Sequence, residues 1–472
     1  MTKKQKFVFL LLGIFTLVFF VIKTPEGLSL EAWRTIYLMV ILAVLWMTET
    51  ISITVTALLP IVLIPLLGIA NVKQAASPYA NELVFLFMGG FFIAAAIEKW
   101  NLHKRFAFLI INQIGYSKKK ILLGFMVVTS FLSMWISNTA TVLIMLPMAL
   151  SVLKQISNIN GEERKYDVAL LLAIAYSASI GGIATLIGTP PNAFAAAFLS
   201  ENYKINIPFI RWMFIGVPFL IFAFITLYLI LSKIYLSKEH DSEIKSKEHI
   251  NLFHIQKITS DELKVLMVFL FVAIGWIVQP VLEKIYFGIN DTSIAMFGAI
   301  LLFIIPSSKN QTALLTWNDA EKISWGILIL FGGGLSLASA IQSSGLAQWL
   351  SRLFISLNFI PSYWLIFIIT LSIMFLTELT SNLATTATFI PIVASIAQGM
   401  NESILLFVIP ATLGASCAFM LPVGTPPNAI IFSSNRLKIQ EMIRTGIFMI
   451  MASLLIIMTI IYFLLKYFVK FN

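Results

Sequence analysis

Long apolar runs alternate with short polar loops along almost the entire chain. Runs of this kind match the roughly 20 residues that an α-helix needs to cross a bilayer. The first run ends without the small-residue cleavage site of a signal peptide, which favours a retained helix. The pattern predicts eleven membrane spans, which lie near residues 7–22, 34–48, 52–68, 82–98, 168–187, 208–232, 263–282, 292–306, 322–342, 403–421 and 442–465.

Two further apolar stretches, at 119–153 and 362–398, each carry a polar interruption near the middle. In the first stretch, the apolar arms on either side of Ser137, Asn138 and Thr139 are shorter than a full crossing. A single long helix would expose this polar joint to hydrocarbon, whereas a turn buried inside protein is tolerated at membrane depth. We therefore expect two re-entrant hairpins whose tips lie near the middle of the membrane.

The two halves of the chain repeat the same motifs in the same order. Shifted by 244 residues, Ser137-Asn138-Thr139 falls on Ser381-Asn382-Leu383. Shifted by 236 residues, Gly188-Thr189-Pro190-Pro191-Asn192-Ala193 is identical to the segment that begins at Gly424. Five crossings separate the equivalent spans of the two halves, and an odd number predicts inverted-topology repeats. The predicted organisation is an N-terminal helix and loop (1–33), a first repeat (34–232), a cytoplasmic linker (233–262) and a second repeat (263–472).

Each repeated Gly-Thr-Pro-Pro-Asn segment is expected to break a helix. Two adjacent prolines lack backbone N–H donors and disfavour helix at the preceding residue. The carbonyl groups of the preceding turn would lose their partners and become available to a cation. The half-helix that begins after the prolines would direct its N-terminal amides towards an anion. Interrupted segments at matching positions of two inverted halves are typical of the binding site of a secondary transporter.

Composition places the chain in the membrane and argues against several other classes. Of its 472 residues, 59% are hydrophobic and 11% are charged, whereas an average soluble protein is about 25% charged. The predicted fold class is therefore an all-α integral membrane protein. The single cysteine, Cys417, permits no internal disulfide, and the four histidines show no metal-ligand spacing. No motif pairs a nucleophile with a base, so we do not expect an enzyme.

The net charge of +10 comes from basic residues in the short loops between spans. Threading the spans from a cytoplasmic N-terminus places these loops on the cytoplasmic side, in agreement with the positive-inside rule. The C-terminus is then extracellular. The expected partners are the lipid bilayer and a small solute, and we expect no nucleic acid.

The four interrupted segments offer neutral oxygen ligands and amide donors, but no Arg or Lys belongs to a motif. Neutral oxygens suit a small hard cation such as Na⁺, and amides with helix N-termini suit a carboxylate. Without a basic side chain, bound sodium ions would compensate the charge of a divalent anion and so couple the two solutes. Glu378 lies beside the second tip, but its repeat partner is Met134, so we leave it outside the site.

Three motifs together resemble the divalent anion:sodium symporter family of INDY-type dicarboxylate and citrate carriers. They are the paired Ser-Asn tips, the paired Thr-Pro-Pro-Asn breaks, and the early segment Trp46-Met47-Thr48-Glu49-Thr50, and the resemblance covers nearly the whole chain. It implies a homodimer in the plasma membrane, with about eleven transmembrane helices and two re-entrant hairpins in each protomer. A transport domain would move like an elevator against a scaffold domain. The implied activity is Na⁺-coupled import of a C4 dicarboxylate such as succinate, malate or fumarate, with citrate as a further candidate and no organic cofactor.

Position by position, the resemblance implies two sodium sites and one substrate site. The first sodium site resembles Ser133, Ser137, Asn138 and the backbone of Gly188, and the second resembles Thr377, Thr380, Asn382 and the backbone of Gly424. The substrate would meet Asn138, Thr139, Thr189, Pro190, Ser381, Asn382, Leu383, Thr425 and Pro426. Leu383 departs from the common Ser-Asn-Thr pattern and cannot donate a side-chain hydrogen bond, which leaves the identity of the substrate open.

Two other functions fit part of the pattern. A sodium-independent dicarboxylate exchanger would share the fold, although no basic residue here replaces the sodium-type hydroxyl groups. An anion channel also uses half-helices at membrane depth, but an inverted repeat with two solute half-sites favours alternating access.

Overall fold

The computed structural model describes residues 2–114, 117–160, 164–236, 257–286, 288–308, 312–355 and 360–467. Regular structure in these ranges is helical, apart from a single β-bridge between Pro306 and Ala313. The helices, numbered in chain order, are α1 (Lys3–Val21), α2 (Leu30–Thr48), α3 (Ile53–Thr56), α4 (Leu59–Leu66), α5 (Val72–Ala76), α6 (Glu82–Lys99), α7 (Leu102–Ile114), α8 (Lys118–Ser133), α9 (Asn138–Asn160), α10 (Arg164–Ile183), α11 (Pro190–Tyr203), α12 (Phe209–Tyr235), α13 (Ser260–Ile285), α14 (Asp291–Ile304), α15 (Trp317–Ala320), α16 (Trp325–Ser343), α17 (Leu346–Phe354), α18 (Ser362–Thr377), α19 (Asn382–Gly399), α20 (Ile404–Ala415), α21 (Pro426–Phe432) and α22 (Ile439–Tyr467).

The eleven predicted spans correspond only partly to helices of full membrane length. Within the described ranges, nine helices are long and apolar enough to cross a bilayer, and one of them is the hairpin arm that begins at Asn138. Three predicted spans, at 52–68, 292–306 and 403–421, are instead shorter helices. The first of these is divided between α3 and α4, because Pro60 has no N–H to bond the carbonyl group of Thr56.

Both predicted hairpin stretches fold back on themselves. α8 and α9 pack against each other and against α10, and α18 and α19 pack in the same way against α20. The tips are the non-helical residues 134–137 and 378–381. The prediction that both arms of the first hairpin are too short to cross was wrong for α9, which has 23 residues. This helix is about 34 Å long at a rise of about 1.5 Å per residue, because it continues into the polar residues that follow Leu153.

The predicted linker at 233–262 is shorter than expected on both sides. The last turn of α12 and the first turn of α13 fall within it. α13 begins at a capping box, in which the Thr259 hydroxyl accepts from the amide of Glu262 and the Glu262 carboxylate accepts from the amide of Thr259. The central part of the linker, 237–256, lies outside the described residues.

α10 lies at the centre of the molecule and leads into the first broken segment. Its residues from 168 to 183 are all buried, as in a helix that is surrounded by other helices. The packing is tightest against α8, where a Cβ atom on Gly181 would overlap the backbone of Ser130. Small residues allow this close approach between membrane helices.

We therefore expect Gly181→Ala to lower the stability of the protein by about 1–3 kcal/mol, the usual range for overpacking a close contact. Gly13→Ala on α1 is the matched control, because a Cβ atom there would meet nothing within 4 Å. Thermal unfolding of the two purified variants in detergent checks the difference. Equal midpoints would contradict the close approach of α8 and α10.

Candidate functional site

A cavity of about 780 Å³ lies where the two hairpin tips meet the two broken segments. Its lining also includes residues that the sequence did not single out, among them Thr54, Phe91 and Ser324. All nine residues predicted to meet the substrate line it: Asn138, Thr139, Thr189, Pro190, Ser381, Asn382, Leu383, Thr425 and Pro426. The fold thus brings together motifs that are almost 300 residues apart in the chain.

Four helices, α9, α11, α19 and α21, begin at this cavity. The first amides of a helix have no acceptor within that helix and carry a partial positive charge. α11 and α21 each begin with two prolines and so lack their first two donors. The amide donors available to an anion therefore come mainly from α9 and α19, whose first residues are Asn138 and Asn382.

The first predicted sodium site is compact in the structure. The Ser133 hydroxyl lies 2.5 Å from the Asn138 Oδ1 atom across the tip of the hairpin. A Cβ atom on Gly188 would lie 2.9 Å from the carbonyl oxygen of Ser133, so the broken segment contacts this pair directly. Ser137 lines the cavity and accepts a hydrogen bond from the amide of Ala140 at 3.2 Å. Ser133 itself is fully buried behind the cavity wall.

The second predicted site repeats the same contact at the shifted positions. The Thr377 hydroxyl lies 2.8 Å from the Asn382 Oδ1 atom, and Gly424 packs against residue 378 of the tip. Thr380, a further predicted ligand of this site, does not line the main cavity. Its hydroxyl group lies 3.0 Å from the carbonyl oxygen of Leu376 and 2.5 Å from the hydroxyl of Thr385.

Asn192 and Asn428, the last polar residues of the repeated motif, have a role that the sequence did not reveal. Both are fully buried. Asn192 Nδ2 donates to the carbonyl groups of Ile183 at 3.2 Å and Thr185 at 2.8 Å, and more weakly to a third at 3.3 Å. Asn428 Nδ2 donates to Leu421 at 3.0 Å and to a second carbonyl group at 3.2 Å. Several carbonyl groups that we expected to be free for a cation are therefore already bonded.

A second cavity of about 640 Å³ adjoins the first and shares Phe91, Ser137 and Thr139 with it. Its far end is charged, and the Lys99 ammonium group lies 2.7 Å from the Asp319 carboxylate there. Burial raises the pKa of Asp319, but hydrogen bonds from Lys99 and Thr316 outweigh it and hold that pKa below its usual range. The Asp319 carboxylate is therefore ionised at neutral pH.

Apart from Glu49, the polar side chains that line the main cavity are neutral hydroxyl and amide groups. In the part of the chain that the structure describes, no group of three or more His, Cys, Asp or Glu residues could hold a metal ion. Hydroxyl, amide and carbonyl oxygens are ligands for a hard cation such as Na⁺ and not for a soft transition metal. Cys417 is buried and free, as expected for a small core residue.

The chain is similar over almost its full length to known membrane transporters. A family model described as the sodium:sulfate symporter transmembrane region matches residues 3–469. Similar proteins named sodium-dependent dicarboxylate transporter SdcS occur in Staphylococcus saprophyticus subsp. saprophyticus, with 38% identity over 473 residues, and in Staphylococcus aureus (strain USA300), with 41% identity over 477 residues. Each alignment covers 96% of this chain and 89% of the relative.

Two solved structures share the fold at low sequence identity. The YdaH transporter of Alcanivorax borkumensis aligns with a TM-score of 0.60 and 11% identity, over 93% of this chain and 99% of that chain. MtrF of Neisseria gonorrhoeae aligns with a TM-score of 0.54 and 12% identity, over 92% and 95% of the two chains. The predicted fold class, an all-α multi-pass membrane protein, is confirmed.

The role of the two motif asparagines can be tested by truncation. Asn192→Ala and Asn428→Ala would each leave buried carbonyl groups unpaired, at a cost of about 1–3 kcal/mol for each group. We expect both variants to unfold at clearly lower temperature than the wild type. Asn202→Ala on α11 is the control, since Asn202 Nδ2 donates to the carbonyl group of Phe198 near the protein surface. Midpoints that fall equally in all three variants would contradict a capping role for Asn192 and Asn428.

Proposed function

This chain belongs to the sodium:sulfate symporter family, and we propose that it is a sodium-coupled symporter that imports a C4 dicarboxylate such as succinate, malate or fumarate. The names of its relatives support sodium and a dicarboxylate as the two solutes, and mark the family as transporters rather than enzymes. The main structural support for the proposal is a pair of equivalent contacts at the edge of one cavity. In each, a hydroxyl group contacts an amide oxygen: Ser133 contacts Asn138, and Thr377 contacts Asn382.

Charge balance explains why sodium and the substrate would bind together. The described lining of the main cavity contains no Lys, Arg or His, and it includes Glu49. A divalent anion would therefore rely on the N-termini of α9 and α19 and on bound cations. A sodium ion about 4–5 Å from a carboxylate contributes about 3–4 kcal/mol at an effective dielectric constant of about 20. Each solute thus raises the affinity for the other, and the coupling is reciprocal.

We assign the solutes to the residues in the following way. The first sodium ion would bind Ser133, Ser137, Asn138 and the Gly188 carbonyl, and the second would bind Thr377, Thr380, Asn382 and the Gly424 carbonyl. The substrate carboxylates would receive hydrogen bonds from Asn138, Thr139, Ser381 and Asn382, while Thr189-Pro190, Thr425-Pro426 and Leu383 shape the pocket. This assignment is supported by the lining of one cavity, which includes all the proposed substrate residues together with Ser137, Gly188 and Gly424. Ser133 and Thr377 contact the lining residues Asn138 and Asn382 from behind.

The two adjoining cavities support alternating access. In the predicted topology, with a cytoplasmic N-terminus and an extracellular C-terminus, the end lined by Lys99 and Lys322 faces the cytoplasm. The structure would then correspond to a state that is open inwards. Movement of the hairpins and broken segments as a transport domain, against a scaffold that forms a homodimer in the plasma membrane, would expose the site on the other side.

Transport assays in proteoliposomes test the coupling. We expect succinate uptake to require external sodium, and we expect potassium not to replace it. Loss of one neutral hydrogen bond of about 0.5–1.5 kcal/mol would explain a reduction of uptake of up to about tenfold. We expect Asn138→Ala and Asn382→Ala each to reduce uptake by more than this, because each amide is proposed to bind both solutes. Uptake that persists without sodium, or that occurs only in exchange for internal dicarboxylate, would refute the proposal.

Leu383 offers a test of substrate selection. Its side chain is 4% exposed and lines the cavity, but only its backbone N–H, at the second position of α19, can donate to a carboxylate. Leu383→Thr adds a hydroxyl donor, and a hydrogen bond to a charged group contributes about 1.5–3 kcal/mol. We expect tenfold or higher apparent affinity for succinate, a changed ratio of succinate to citrate uptake, and nearly unchanged sodium affinity.

The reciprocal variant Thr139→Leu is the matched control and should weaken succinate binding. Initial uptake rates across dicarboxylates, citrate and sulfate measure both effects. If Leu383→Thr left the ranking of these anions as in the wild type, Leu383 would not contact the substrate.

A further inference from the structure

Glu378 is a buried carboxylate at the tip of the second hairpin, directly after Thr377. Its side chain is 1% exposed. One carboxylate oxygen, Oε1, accepts hydrogen bonds from the amides of Phe419 at 2.6 Å and Met420 at 2.8 Å, and the other accepts from the amide of Leu421 at 2.9 Å. A carboxylate with three amide donors is a strong, charge-assisted arrangement.

These three amides belong to the non-helical segment 416–425 between α20 and α21. At membrane depth, backbone donors that have left a helix need another partner, because no water is available in the hydrocarbon. Glu378 supplies that partner for three successive residues. The same segment carries Gly424 and part of the wall of the main cavity.

The first half of the molecule joins its hairpin tip to its broken segment by a neutral group instead. Met134 occupies the position equivalent to Glu378. There the Thr185 hydroxyl donates to the carbonyl oxygen of Met134 at 2.6 Å and accepts from the amide of Gly188 at 3.1 Å. A carboxylate thus occupies this position only in the second half, although both sets of predicted ligands combine hydroxyl groups, an amide and a backbone carbonyl group.

The charge of Glu378 lies close to the predicted ligands of the second sodium site. A Cβ atom on Gly424 would lie 3.0 Å from Glu378 Oε2 and 3.2 Å from the Glu378 carbonyl oxygen. The Thr377 hydroxyl, which immediately precedes Glu378 in the chain, contacts Asn382. A negative charge next to Thr377 and Asn382 favours a cation bound there. A segment that is already fixed in place presents the Gly424 carbonyl group without an entropic cost of ordering on binding.

We propose that Glu378 is a positioning residue for the second sodium site. Its carboxylate holds segment 416–425 in the shape that places the Gly424 carbonyl beside Thr377 and Asn382, and its charge raises the sodium affinity of this site above that of the first. This inference rests on the proposed sodium coupling. We assign Glu378 a positioning role and not that of a sodium ligand, because three of the roughly four lone-pair positions of its carboxylate already accept amide hydrogen bonds.

The chain contains its own reporter for this segment. Cys417 is its single cysteine, is fully buried, and lies two residues before Phe419. The rate at which N-ethylmaleimide labels Cys417 therefore measures how firmly segment 416–425 is held. The segment should stay partly anchored when Glu378 is changed, since the Tyr176 hydroxyl donates to the Phe419 carbonyl at 2.6 Å.

The experiment compares wild type, Glu378→Gln, Glu378→Asp and Thr185→Val in proteoliposomes. Glu378→Gln keeps the size but removes the charge, and we expect at least a tenfold rise in the sodium concentration for half-maximal succinate uptake and at least tenfold faster labelling of Cys417. Glu378→Asp keeps the charge on a shorter side chain, so labelling should rise at least threefold while the sodium requirement changes less than threefold. Thr185→Val alters the first half and should leave Cys417 labelling as in the wild type.

Each outcome separates this inference from the proposed function. A sodium-dependent wild type together with an unchanged sodium requirement in Glu378→Gln would overturn the role of Glu378 and leave the symport standing. A wild type that transports succinate without sodium would refute the symport itself. If Glu378→Gln did not fold, Glu378→Asp would provide the test. Labelling of Cys417 in Glu378→Asp at the wild-type rate would overturn the proposal that Glu378 anchors the segment.

Discussion

The need to satisfy backbone polar groups where helices stop inside an apolar interior governs this structure. An unpaired amide or carbonyl group there costs several kcal/mol, yet a transport site needs interrupted helices. The molecule meets this constraint with buried side chains that bond the exposed backbone directly. Asn192 and Asn428 bond carbonyl groups, and Thr185 and Glu378 bond amides. These side chains stabilise the walls of the cavity.

The same constraint determines the chemistry of the site. Backbone held in this way offers dipoles and neutral oxygens, and the described lining of the main cavity has no basic side chain. Such a site has little affinity for a divalent anion alone, since desolvating two carboxylates is expensive. In the proposed symport, bound sodium ions would remove part of this cost. The absence of basic side chains from the described lining would then be one reason for the coupling of the two solutes.

The two halves of the chain carry the same motifs but differ at a few positions. Thr139 in the first half corresponds to Leu383 in the second, and the neutral Met134 corresponds to Glu378. The hydroxyl–amide contact is present in both halves at nearly the same distance. In both halves this contact joins the last residue of one hairpin arm to the first residue of the other. The positions around it differ, so the two contacts have unequal electrostatic surroundings.

The sequence alone determined the membrane class, the hairpin tips and the helix breaks. These follow from local causes: apolar runs long enough to span, polar joints at Ser137 and Ser381, and adjacent prolines without N–H donors. The nine proposed substrate contacts could be named because two motifs recur in register, and the resemblance gave their roles. Sequence reasoning failed where the outcome depends on a partner distant in the chain. Tertiary packing decided the full length of α9, the bonding of the freed carbonyl groups by the motif asparagines, and the amide contacts of Glu378. A buried polar group takes whichever partner the fold brings within reach.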